Sequence, residues 1–163
     1  MPQVLMRGEY DCGRVCLANA CGISYEAASR VLPGQEHDGA KANLRDTMIH
    51  HKVALWKLGM PSRIVTDDMI IDNQCNPLKT CILVHSIERP TLEQHWCNFA
   101  GKQGANIELW WGDPADPTRL VTPAQLKTMY RRGSFNHAHE VGVGSVRVPT
   151  WLERFFYWWT VKI

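Results

Sequence analysis

Three residues in this 163-residue chain have the types and surroundings for covalent acyl chemistry: Cys12, His95 and Asp113. Cys12 opens the stretch CGRVCLANACG, in which Cys12, Cys16, Leu17 and Ala20 recur at the spacing of one helix face. A thiol in the first turn of a helix is drawn toward the nucleophilic thiolate by the positive helix end. Gly13 has no side chain, so a carbonyl can approach the Cys12 N–H, which then donates to a developing oxyanion. Cys16 and Cys21 lack this setting. Taken alone, Cys12 reads as a buried small hydrophobe, the common fate of a cysteine thiol.

A catalytic cysteine also needs a base and a group that orients the base. His95 stands at the start of an apparent strand, HWCNFAGK, and Asp113 at the end of the next, NIELWWGDP. Adjacent antiparallel strands run ~5 Å apart, so the two side chains can meet. Nδ1–H of His95 is then expected to bond Asp113, leaving Nε2 to face Cys12.

Asp11 precedes the first helix and Gly22 ends it. Ser24 opens a second, YEAASRVL, stopped by Pro33-Gly34, and Asn43 is the expected cap of a third, LRDTMIHHKVALWKLGM, closed by Gly59 and Pro61. Short apolar runs follow: RIVT, KTCILVHSI, HWCNFAGK, NIELWWGDP and GVGSVRVP are expected strands, with a short helix over PAQLKTMYRR. Asp116-Pro117-Thr118 and Arg132-Gly133-Ser134 read as loop punctuation. Helices first and strands afterwards describe an α+β domain, N-terminal helices packed on a C-terminal antiparallel sheet, and the length suits one domain over residues 1–163.

Hydrophobic content of 45% and charged content of 21% are those of a globular domain. A net charge of +2, with Lys and Arg scattered, argues against a nucleic-acid partner. No secretory pattern or bilayer-length apolar run is found, so a cytoplasmic location is expected and, with it, free thiols at Cys12, Cys16, Cys21, Cys75, Cys81 and Cys97. No Cys-x2-Cys pair seeds a zinc site, and neither metal nor cofactor is expected. His137, His139 and Glu140 form an H-x-H-E cluster that reads first as a polar loop, while His50 and His51 point apart on their helix. Trp110 and Trp111 are expected to shield the reacting groups. The aromatics of the tail WLERFFYWWTVKI are expected to cover the core, with membrane contact the lesser reading.

Three segments resemble the papain-like fold of the C39 and C39-like bacterial cysteine peptidases: YDCGRVCLANACGISYEAASRVL, HWCNFAGKQGANIELWWGDPAD and TPAQLKTMY. In that family a D-C-G-x-x-C/A-L-A helix start bears the nucleophile, a histidine opens a strand and D-P-A ends the next, so the resemblance implies a triad of Cys12, His95 and Asp113. It implies hydrolysis of a peptide or isopeptide bond through a thioacyl-enzyme, with acyl transfer to an amine as related chemistry and a peptide or protein as substrate. Family members proper are fused to a transporter and cleave leader peptides after a double glycine; nothing in this sequence encodes a transporter. The family places an oxyanion-hole glutamine about six residues before the cysteine, where this chain has Met6; Gln3 is the nearest upstream glutamine and the candidate for that role. The alternative is a catalytically impaired papain-like module that binds a peptide or inhibits a protein.

Overall fold

The computed structural model describes residues 3–8, 11–32, 47–85, 94–130 and 138–162. Local stop signals set the first helices. Helix α1 (Cys12–Cys21) ends where Gly22 turns left-handed at φ 66 and the Ile23 N–H reaches back to the Ala18 carbonyl at 3.0 Å. Ser24 caps α2 (Tyr25–Val31) by accepting from the Ala27 N–H. Helix α3 (Met48–Lys57) starts from a reciprocal capping box between Thr47 and His50. Asn43, the cap expected from sequence, lies outside the described residues. At its far end Gly59 and Met60 bond back to Trp56 and Leu55, closing the helix with a left-handed glycine.

After α3 come β1 (Ser62–Ile64), α4 (Asp67–Ile71), β2 (Thr80–His85), β3 (Gln94–Gln103), β4 (Asn106–Trp110), β5 (Thr118–Val121), α5 (Pro123–Met129), β6 (Ala138–Val141) and α6 (Trp151–Lys162). The strands form one antiparallel sheet in the order β1-β6-β2-β3-β4-β5. The architecture is α+β, and the sheet is buried on both faces. Cys81, Leu83, Trp96 and Val141 pack beneath α1 and α3, while Ile82, Val84, Cys97, Phe99, Ile107 and Leu109 pack on Ile70, Leu126 and Met129 of α4 and α5. Alternation along β2 and β3 therefore divides one strand between two cores.

Three expectations need correction. The segment GVGSVRVP is not a strand: the β6 ladder ends at Val141 and only an isolated Ser62–Ser145 bridge follows, because Gly142 and Gly144 take positive φ values and a Cβ on Gly144 would stand 2.9 Å from the Ser62 carbonyl oxygen. Thr118 does not belong to a loop but begins β5, an edge strand paired with β4. The tail forms α6, yet its aromatics do not all cover the core. Tyr157 is buried, with its hydroxyl donating to the Val31 carbonyl, whereas Trp151, Leu152, Phe155, Trp158 and Trp159 are exposed. Helix α6 is fixed to α3 by the Lys52–Glu153 ion pair at 2.8 Å and by His50 Nε2 to Thr160 Oγ1 at 2.7 Å.

Candidate active site

Cys12 is the first residue of α1 and is 8% exposed, at the helix end whose N–H groups lack intrahelical partners. Asp11 before it does not cap the helix with its side chain. Its carboxylate is instead buried: Oδ2 accepts from the Arg7 N–H and the Tyr25 hydroxyl, each at 2.8 Å, and Oδ1 has no hydrogen-bond partner among the described residues. Arg14, also buried, donates from Nε to the Leu32 carbonyl at 2.8 Å and from Nη1 to the Tyr25 hydroxyl at 3.3 Å. Burial and the hydrogen bond to Asp11 push the Tyr25 hydroxyl above its ordinary pKa, so it remains a donor. The start of α1 is thereby anchored to α2 through a polar network.

His95 stands near the start of β3, opposite Val84. Its Nε2 lies 2.8 Å from the Trp111 carbonyl oxygen, and its ring stacks on the Trp111 indole with centroids 4.1 Å apart and planes 8° from parallel. A carbonyl can only accept, so Nε2 carries the proton and the Nδ1 lone pair is the basic one. This reverses the expected tautomer. The group that orients the imidazole is the Trp111 main chain, two residues before Asp113. The Arg119 guanidinium also lies over the Trp111 indole, 4.2 Å from its centroid. Burial is the main cause that lowers the His95 pKa to about 4; Arg119 adds to the depression, while the Trp111 carbonyl, Asp113 and Asp11 oppose it.

Asp113 is half-buried in the turn after β4, where Oδ1 accepts from the Ala115 N–H at 2.9 Å. It acts on His95 as a nearby negative charge, as does Asp11. The backbone that bears Asp113 is docked against α1. The Met6 N–H donates to the Gly112 carbonyl at 2.8 Å, and a Cβ on Gly112 would lie 3.2 Å from Val15 Cγ1 and 3.5 Å from Met6 Cγ. Gly112 has φ +83, so it supplies both the turn and the close approach. The first turn of α1, the His95–Trp111 stack and the Asp113 turn thus converge.

Gln3 is placed elsewhere. It is exposed, and the adjacent Val4 is tied through its N–H and carbonyl to the Asn19 side chain at 2.8 and 3.2 Å. Asn19 is two turns along α1 from Cys12, about 10 Å by helical rise. Sequence reasoning missed the network of buried Asp11 and Arg14 with half-buried Tyr25; the D-C-G motif contains Asp11, but nothing local foretold its burial.

A second polar cluster lies beneath α3, formed by His51, Cys81 and His139. Burial holds both imidazoles neutral, lowering His139 to about 3 and His51 well below the ordinary value. Glu140 of the H-x-H-E segment takes no part in it, because its carboxylate is bound by Arg63 and Asn76, and His137 lies outside the described residues. All six cysteines are thiols. Among the described residues no helix is long and apolar enough to cross a membrane.

No protein-family model and no curated protein matches the chain. Among solved structures the chain is similar to the peptidase domain of Streptococcus ComA, a bi-functional ABC transporter involved in a quorum sensing pathway. The TM-score is 0.61, over 85% of this chain and 96% of that domain, at 19% sequence identity. At that identity the likeness is one of fold.

Proposed function

We propose that the chain is a C39-like cysteine peptidase acting on a peptide or isopeptide bond, with Cys12 as nucleophile, His95 as general base and acid, and Asp113 as electrostatic partner. The observation that carries this reading is the fixed tautomer of His95. Nε2 is committed to the Trp111 carbonyl, which leaves Nδ1 as the basic nitrogen, and Gly112, next to Trp111, packs against Val15 of α1. The likeness in fold to a peptidase domain supports it independently.

In this mechanism His95 Nδ1 takes the Cys12 thiol proton as sulfur attacks the carbonyl carbon. The same proton passes to the leaving amine, and the thioacyl-enzyme is hydrolysed by a water that His95 activates in turn. Asp113 and Asp11 stabilise the transient imidazolium. The oxyanion is assigned to the Cys12 N–H at the positive end of α1, because Val4, the neighbour of the exposed Gln3, is bonded to Asn19 two turns along that helix. Met6 at the family's glutamine position favours the second reading, an impaired binding module. Profiling a peptide library with wild type and Cys12→Ala separates the two. Cleavage products made by wild type and absent from the variant are expected, and binding without cleavage by wild type overturns the enzymatic reading.

A further inference from the structure

His51, Cys81 and His139 come from three distant segments and meet in the core between the sheet and α3. Cys81 and His139 are direct cross-strand partners of β2 and β6, so their side chains leave the sheet on the same face. His51 reaches that face from α3, its ring stacked on the Trp96 indole at 3.8 Å and 11°. All three are at most 2% exposed.

Two features single this cluster out from an ordinary core. His139 Nε2 and His51 Nδ1 are 3.3 Å apart, at the long limit for a hydrogen bond. That separation is the edge of a tetrahedron whose centre lies about 2.0–2.1 Å from each nitrogen, the bond length of zinc to imidazole. In addition, His51 Nε2 and His139 Nδ1 are buried with no partner among the described residues. These far nitrogens would stay N–H donors in a metal-bound cluster, so they show the cost of burying two imidazoles here and not the ligand positions; that cost has to be offset by an interaction at the facing nitrogens.

We propose that His51, His139 and Cys81 form a buried transition-metal site, with zinc(II) as the ion that best suits two imidazoles and a thiolate. One ring nitrogen from each histidine and the Cys81 Sγ already lie within 4.8 Å of one another. Bound ligands of this kind stand about 3.5 Å apart, so from a separation of up to 4.8 Å the sulfur closes by about 1.3 Å at most. Binding replaces the Cys81 thiol proton, which is released to solvent. The ion would staple α3 to β2 and β6, so its role is structural and separate from the Cys12 chemistry. This revises the expectation that no metal is bound: the ligands come from positions 51, 81 and 139, so no short spacing motif announces them.

Because the site is sealed, the ion enters during folding, and the test uses the full chain refolded under reducing conditions with cobalt(II), then desalted. Wild type is expected to retain about one cobalt per chain, with the visible bands of tetrahedral cobalt and a thiolate charge-transfer band. Cys12→Ser should keep both signals, and His139→Ala should lose them. Wild type that refolds by circular dichroism yet retains no cobalt overturns the proposal. So does loss of the bands in a folded Cys12→Ser chain, which would assign the metal to the active-site thiol. Should His139→Ala fail to fold, the wild-type and Cys12→Ser measurements still decide.

Discussion

Gly112→Ala tests whether the convergence of α1 with the Asp113 turn holds the site together. Gly112 sits at φ +83, and an added Cβ meets Val15 Cγ1 at 3.2 Å and Met6 Cγ at 3.5 Å. The left-handed backbone alone costs alanine about 1–2 kcal/mol. The contact with Val15 is tighter than ordinary van der Waals distance, and displacing a β-branched side chain on a packed helix adds roughly 1 kcal/mol. A total of about 2–3 kcal/mol lowers Tm by roughly 4–12 °C for a domain of this size. Gly59→Ala is the control, because Gly59 has φ +66 but nothing within 4 Å of the added Cβ. Both variants bear backbone strain, and only Gly112→Ala pushes on α1. Urea unfolding gives the stabilities, and the alkylation rate of Cys12 reports on the site. Gly112→Ala should be the less stable and should change Cys12 reactivity several-fold, whereas Gly59→Ala should leave that reactivity unchanged. Equal costs for the two variants, with Cys12 reactivity unaltered in both, would refute the reasoning.

His95 should make the protein acid-sensitive: its pKa is lowered from the ordinary 6.5 to about 4, so within that window the unfolded chain binds a proton that the folded chain does not. Stability is fully present above pH 6.5 and falls by up to about 3 kcal/mol on acidification to pH 4, and His95→Gln should flatten this part of the urea-denaturation profile. Tyr25→Phe removes a donor from the buried Asp11 carboxylate and should cost about 1.5–3 kcal/mol in urea unfolding; an unchanged midpoint would discount the network. Gln3→Ala should leave kcat within about threefold of wild type, since the ~100-fold loss typical of an oxyanion donor requires an amide beside the cysteine.

The parts of this fold that could be read from sequence are those whose signals are local. Gly22, Ser24 and Gly59 mark helix ends because a cap is made within a few residues of its helix. The apolar runs of β2, β3 and β4 were legible because these strands are long enough to declare themselves. β5 is four residues at a sheet edge with exposed positions, too short for a pattern, and α4 is a five-residue helix. GVGSVRVP misled because apolar alternation does not reveal the left-handed glycines that break pairing. At the candidate site, residue types and chain order gave Cys12, His95 and Asp113 as candidates, but they put the imidazole proton on Nδ1 and not on Nε2. The proton's position depends on the Trp111 carbonyl, a main-chain group that no side-chain pattern encodes.

Cys12 reactivity tests the central claim most directly. At neutral pH, with limiting iodoacetamide and mass-spectrometric mapping of all six thiols, Cys12 should be alkylated about 100-fold or more faster than Cys16, Cys21, Cys75 and Cys97, whose thiols burial pushes up, Cys21 to about 12. His95→Ala should remove most of that advantage. Labelling led by Cys21 or Cys75, or a Cys12 rate indifferent to His95, would contradict the assignment of Cys12 as an activated nucleophile.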